Sequence, residues 1–333
     1  MIRRLAQLLL LAAALAAVAF GVRLGRYLYA PIPVDAPTVR IPKGAGLDQV
    51  VRILAEVRVA PWKAGTMWGF RLRGRPGKIK AGVYAFRKGY RLVHVLRDLE
   101  EGRVDRVRVT FPEGSTVRDM AAILQAADVT RAADFTSLCL DPRSAARAGV
   151  PGPTLEGYLF PDTYLFAREL PARAVADALV RRFRQVTGEL VTKSGGKGQE
   201  PDLLHWVTLA SVVEKETGRP EERPLIAAVF RNRLDRDMPL QSDPTVIYGI
   251  ASFNGNLTRA DLRRDSPYNT YVRKGLPPGP IANPGRASLE AALHPAPAGF
   301  LYFVSRNDGY HAFSVDYGDH VRAVNRYQRR PAR

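Results

Sequence analysis

An α+β fold is predicted for this chain, with a single membrane-length helix at the N-terminus, a small α/β module after it and a larger α+β region to the end. Three observations predict it. An apolar run extends from Leu5 to Val22, a strand, glycine turn and helix pattern recurs 70 residues apart, and beyond residue 106 apolar helical stretches alternate with loops rich in Pro, Gly, Tyr and Asn. The 333 residues allow roughly two domains of about 150 residues each, and 46% apolar residues supply real cores, which excludes general disorder. The patterns divide the chain into 1–30, 31–105 and 106–333.

The first element is the run Leu5 to Val22, flanked by Arg3 and Arg4 before it and by Arg23 and Arg26 after it. Eighteen residues at 1.5 Å rise span about 27 Å, close to the hydrocarbon thickness of a bilayer and longer than the apolar core of a cleaved signal. The run therefore reads as an anchor. Ala-x-Ala triplets lie inside it, so cleavage is the alternative, and basic residues at both ends leave the orientation open.

Pro31, Pro33 and Pro37 make a short extended linker. The repeat begins with Val39-Arg-Ile-Pro-Lys-Gly-Ala-Gly-Leu47, and Val109-Thr-Phe-Pro-Glu-Gly-Ser-Thr-Val117 matches it with Pro112 for Pro42 and Gly114 for Gly44. Apolar residues at i, i+3, i+4 and i+7 follow each: Leu47, Val50, Val51 and Leu54, then Val117, Met120, Ala121 and Leu124. Val83 to Phe86, a turn at Gly89 and Leu92, Val95, Leu96 and Leu99 form a third version. Each unit buries one face, so the units are expected to pack together.

Farther on, helices are predicted from Pro171 to Val186, Leu203 to Thr217 and Pro224 to Leu234. Lys193 to Gln199 reads as a Gly-rich loop without the order of a phosphate-binding loop, and 300–314 reads as a hairpin turning at Asn307-Asp308-Gly309.

The excess of 50 basic over 32 acidic residues, a net charge of +18, draws polyanions, although the arginines are spread along the whole chain. No helix-turn-helix or RNP-like signature accompanies the charge, so nucleic acid is not expected as a partner. The single cysteine, Cys139, sits between leucines and can form no intrachain disulfide. The five histidines show no metal spacing, and neither a G-x-S-x-G elbow nor a G-x-G-x-x-G fingerprint is present; no metal and no cofactor are expected.

The candidate chemistry lies at the end of the helix 203–217, which is apolar on nearly all sides. Glu214 shares a face with Val207, Ala210 and Ser211, where desolvation disfavours the charged carboxylate and suits a general acid. The alternative is a charged helix end, Glu214-Lys215-Glu216, reaching solvent. Gln241-Ser-Asp-Pro-Thr245, Tyr248, Ser266-Pro-Tyr-Asn-Thr-Tyr271 and Ile281-Ala-Asn-Pro-Gly285 concentrate hydrogen-bonding and aromatic side chains on Pro/Gly-shaped loops, as a polyhydroxylated ligand requires.

Five motifs in order resemble the endolytic murein transglycosylases, the YceG-like family: Leu155-Glu-Gly-Tyr-Leu-Phe-Pro-Asp-Thr-Tyr164, Leu209-Ala-Ser-Val-Val-Glu-Lys-Glu-Thr217, Leu240 to Gly249, Tyr268-Asn-Thr-Tyr271 and Gly275 to Gly285. The resemblance covers about 31–320. It implies a single-span inner-membrane protein with a cytoplasmic tip, a LysM-like module at 31–105 and a catalytic domain at 106–333 in the periplasm. It further implies a lyase that cuts the MurNAc-GlcNAc bond of peptidoglycan strands and leaves 1,6-anhydro-MurNAc ends, with cell-wall synthases as candidate partners. On this reading Glu214 is the catalytic acid, with Glu216 the lesser candidate, and Gln241, Asp243, Asn269, Tyr271 and Glu156 hold the glycan. A two-carboxylate muramidase using Asp243, Asp162 or Glu156, and a membrane-anchored scaffold without catalysis, are the alternatives.

Overall fold

The computed structural model describes residues 2–73, 79–193 and 201–328. Most of the Gly-rich segment 193–199 lies outside these. The fold is α+β, and the chain forms two compact units, residues 1–107 with 165–169, and residues 108–164 with 170–333.

The first unit begins with α1 (Ile2–Tyr29), whose apolar stretch is long enough to cross a membrane and carries exposed Leu5, Leu8, Leu9 and Leu15. Strand β1 (Ala36–Ile41), α2 (Leu47–Glu56), α3 (Lys63–Leu72), β2 (Gly82–Phe86) and α4 (Leu92–Glu101) follow. β1 and β2 pair antiparallel with Val39 opposite Tyr84 and Ile41 opposite Gly82. The 3.6-residue spacing of α2 and α4 turns Val50, Val51 and Leu54, and Leu92, Val95, Leu96 and Leu99, into one core with Val39, Phe70 and Tyr84. The linker predicted from three prolines is short in effect, because α1 runs on to Tyr29 and buries Leu24 in its last turns.

The second unit takes the remaining elements. These are α5 (Val117–Ala126), α6 (Ala132–Leu140), α7 (Pro142–Ala148), α8 (Ala172–Lys193), α9 (Leu203–Glu216), α10 (Arg223–Asp235), α11 (Asp243–Tyr248), α12 (Arg286–Leu293), β5 (Tyr302–Ser305), β6 (His311–Ser314) and α13 (Tyr317–Tyr327), while the residues of β3 (Arg106–Thr110) and β4 (Thr163–Ala167) are divided between the two units. The 70-residue repeat is real in the backbone: the matched Gly44 and Gly114 both turn at positive φ, +80° and +73°, a conformation that costs glycine little. The expectation that all three repeats pack together is corrected. Among the described residues β1 pairs with β2 and β3 with β4, and the repeat at 109–124 joins a different core. Sheet partners are set by which edge reaches the strand, and β4 was not legible as a strand.

α5 starts with a capping box: Asp119 N–H donates to Thr116 Oγ1 and Thr116 N–H donates to Asp119 Oδ2. Its expected apolar face, Val117, Met120, Ala121 and Leu124, is fully buried. The predicted hairpin is β5 and β6, paired antiparallel with Phe303 opposite Phe313.

Candidate active site

α9 is the rod on which the site is built. Asp202 caps it, accepting from the N–H groups of Leu204 and His205 at 3.0 and 3.2 Å, and Trp206 through Val213 are buried, which makes it the interior helix of the second unit. Its last residues, Glu214 and Glu216, are two positions apart and so point about 200° away from each other. They enter different surroundings.

The Glu214 side chain is only 5% exposed, but it faces donors. Arg223 Nη2 donates to its Oε1 at 3.1 Å, and the Gly285 N–H donates to its Oε2 at 2.8 Å. Glu113 stands 3.7 Å from the same guanidinium. Lys215, between the two glutamates, donates from Nζ to the Gly114 carbonyl at 3.2 Å. Glu214 therefore joins the end of α9 to the start of α10 and the turn before α12.

Glu216 lines a cavity of about 340 Å³ shared with Arg233, Gln241, Asp243, Tyr271, His311 and His320. Burial pushes its carboxyl up to about 7, and nearby Asp243 adds to the rise. The Ser242 hydroxyl, which donates to Oε1, together with His311 and Arg233, opposes it.

Opposite Glu216 the chain is held by a knot of loops. The Gln241 N–H donates to the Thr270 carbonyl at 3.1 Å, and the Ser242 N–H to Thr270 Oγ1 at 3.0 Å. Tyr271 OH donates to Asp243 Oδ1 at 2.6 Å. Buried Arg233 stitches the loop to the hairpin, donating to the carbonyls of Leu240 and Leu301 at 2.8 and 2.7 Å. The carboxylate of Glu222, 5% exposed, accepts from the His311 backbone N–H at 2.8 Å and meets Nδ1 of the His311 ring at 2.7 Å, so one carboxylate holds both the start of β6 and its imidazole.

A model of the YceG-like family matches residues 39–326. The chain belongs to the YceG-like family. Among relatives, it is 32% identical over 325 residues to the endolytic murein transglycosylase of Bacillus subtilis, covering 91% of this chain and 89% of that protein. It is 29% identical over 331 residues to the endolytic murein transglycosylase of Streptococcus pneumoniae serotype 2, covering 88% of this chain and 59% of that longer protein. The crystal structure of a yceG-like protein from Listeria monocytogenes is similar, with a TM-score of 0.57 at 30% identity, over 86% of this chain and 97% of that one.

Seen as a YceG-like site, the sequence-predicted residues separate into two sets. Gln241, Asp243 and Tyr271 come together in the cavity, and they do so with Glu216 rather than with Glu214. Asn269 and Glu156 do not join them. Asn269 is 1% exposed: its Nδ2 donates to the carbonyls of Leu262 and Arg264 at 3.1 and 2.8 Å and its Oδ1 accepts from the Tyr271 N–H at 2.9 Å, so it shapes the loop that presents Tyr271. Glu156 is 3% exposed and accepts from the Val117 N–H at 3.0 Å, from Asn283 Nδ2 at 2.8 Å and from Tyr248 OH at 3.3 Å. Burial pushes its carboxyl up to about 8. Asn283 Oδ1 in turn accepts from the N–H groups of Gly157 and Leu159 at 2.9 and 3.0 Å, which explains why the motifs at 155–164 and 275–285 are so particular. At Gly157, φ is +89° and an added Cβ would lie 2.4 Å from the Pro280 ring, so no other residue fits.

Sequence reasoning missed Glu222, Arg233, His311 and His320, and it singled out Ser242 only as part of its loop. The histidines show no metal spacing and each stands alone in its segment; only the fold carries β6 and α13 to the rim of the cavity.

Proposed function

We propose that this protein is a lytic transglycosylase that cuts peptidoglycan strands from within, with Glu216 as its acid. The observation that carries the reading is a half-buried glutamate whose desolvated carboxyl, pushed up to about 7, opens on a cavity lined by Gln241, Asp243 and Tyr271. Such a group is substantially protonated at neutral pH and can still reach a ligand, the two requirements of a general acid. The names of the relatives support the substrate class.

In this mechanism Glu216 gives its proton to the glycosidic oxygen between MurNAc and GlcNAc as that bond breaks. The carboxylate left behind takes the proton from the C6 hydroxyl of the same MurNAc, whose oxygen closes on C1. One proton leaves Glu216 and one returns, water is not consumed, and the product ends in 1,6-anhydro-MurNAc. The attacking hydroxyl is already attached to the reacting sugar, so no second catalytic carboxylate is needed. Asp243, anchored by Tyr271, stands where its charge can stabilise the oxocarbenium-like state, and Gln241 is a donor and acceptor for sugar groups. Glu214 is reassigned from acid to structural partner of Arg223, because its oxygens already serve a guanidinium and a backbone N–H away from this cavity.

We place α1 across the bacterial inner membrane with the second unit in the periplasm, where the substrate is, and read 31–105 as a LysM-like glycan-binding module. Cell-wall synthases are candidate partners. The test is mass spectrometry of murein digested in heavy-oxygen water: anhydro ends without label are expected. Labelled reducing ends would transfer the chemistry to a muramidase pair of Glu216 and Asp243, and absence of cleavage would leave a scaffold.

A further inference from the structure

The apolar run of α1 ends at Val22, so Phe20 lies about 3 Å short of its end along the helix axis. Two tryptophans of α3 and its approach meet that ring edge-on: Trp62 at 6.0 Å and Trp68 at 5.9 Å between centroids. The contact is not a loose one. Tyr27 OH and Thr66 Oγ1 are 3.0 Å apart, the Trp62 backbone N–H donates to Tyr27 OH at 3.1 Å, and Gly69 leaves so little space that an added Cβ would fall 2.8 Å from Leu28 Cδ2. α3 is thus fastened to the final turns of α1, and its depth is dictated by the helix that crosses the bilayer.

The exposed side of α3 has the composition of a membrane interface. Trp68 is 43% exposed and Leu72, one helical turn on, is 65% exposed. Arg23 lies over Trp62 at 4.7 Å and Arg71 over Trp68 at 5.7 Å, so each indole is accompanied by a guanidinium. Indoles favour the headgroup region because one edge is polar and the body is apolar, and arginine pairs with phosphate.

We propose that Trp62, Trp68 and Leu72 insert into the headgroup boundary of the same phospholipid bilayer that α1 spans, so that α3 is a second, interfacial membrane contact and the first unit is seated on the lipid surface. The inference rests on α1 being a membrane span. It accounts for α3, which no repeat or motif explains, as the element that holds the module at a set height where the anchor alone would let it tilt.

The chain contains three tryptophans, and the third, Trp206, is buried in the other unit with Nε1 donating to the Leu289 carbonyl at 2.7 Å. Full-length Trp206→Phe protein in phospholipid vesicles therefore reports on Trp62 and Trp68 alone. With lipids brominated near the carbonyl end of the acyl chain, this emission should lose most of its intensity. It should lose less with bromine near the terminal methyl and little with aqueous iodide. Quenching by iodide but not by shallow bromolipid, or a response to soluble murein fragments in place of bromolipid, would overturn the proposal. Alkaline carbonate extraction separates the two ideas: release of the protein means that α1 does not span, whereas retention with unquenched tryptophans means that the span stands and the interfacial contact does not exist. The Trp68→Ala, Trp206→Phe protein, carrying Trp62 as its only indole, should remain sensitive to shallow bromine.

Discussion

Replacing Glu216 by glutamine removes one proton from the site and changes little else. Glutamine has the same shape, and its carbonyl oxygen can still accept from the Ser242 hydroxyl. With the carboxyl pushed up to about 7, about half of the wild-type molecules hold the acid form at pH 7, about a tenth at pH 8 and about a hundredth at pH 9. A general acid contributes about 10²–10⁴ in rate, so Glu216→Gln should lower turnover by at least about a hundredfold, or about 3 kcal/mol in the barrier. Stability should move the other way. The folded-state value is raised above the ordinary 4.5, so the wild type gains stability from this group below about 4.5 and loses it as pH rises through about 7. Glutamine carries no such loss, and the variant should melt no lower than wild type at pH 8. Glu214→Gln should show the opposite pair of effects. It weakens the bond to Arg223, a guanidinium whose side chain is 8% exposed, at a cost of about 1.5–3 kcal/mol in stability, while the acid stays in place. The assay is release of soluble fragments from murein sacculi between pH 6 and 8, with thermal melts of the same samples. A Glu216→Gln protein that turns over normally would refute the reasoning, as would a folded Glu214→Gln protein that loses a hundredfold.

Further outcomes follow from the same contacts. The pH profile of kcat/KM should descend above about pH 7, and Ser242→Ala, which removes a donor to the Glu216 carboxylate, should move that descent to higher pH; a descent that stays put would mean another group titrates. Glu156 is raised to about 8, so it contributes stability below about pH 4.5 that is lost as pH rises through about 8; urea unfolding of Glu156→Gln should show a flatter dependence across that window. Asn283→Ala removes both the donor to Glu156 and the acceptor for the N–H groups of Gly157 and Leu159, and it should cost about 3 kcal/mol or more by the same measurement, since buried groups are left unpaired.

What the sequence determined by itself was whatever depends on local periodicity. The apolar length of Leu5 to Val22, the helical faces of 47–54, 92–99 and 117–124, the Pro-x-Gly turns of the repeat and the hairpin at 302–314 are short-range patterns, and each could be read before any partner was known. The loops of the site were legible too, because Pro, Gly, Asn and Tyr cluster at 241–249 and 266–285. What only the tertiary structure decided was direction and partnership. Glu214 and Glu216 are the same residue type, lie on the same helix end and differ by about 200° in phase, so the choice between them depends on where the loop of Gln241 and Asp243 arrives, a fact not carried by residues 203–217. Asn269 and Glu156 look like ligand-binding residues in sequence, since a polar side chain on a loop reads the same whether it faces a sugar or a backbone carbonyl. His311 and Glu222 stand 89 positions apart and meet only because β6 folds back beside the start of α10. Burial, ion pairing and raised carboxyl values arise from this long-range placement, because desolvation depends on everything that surrounds a group and sequence neighbours are only a small part of that.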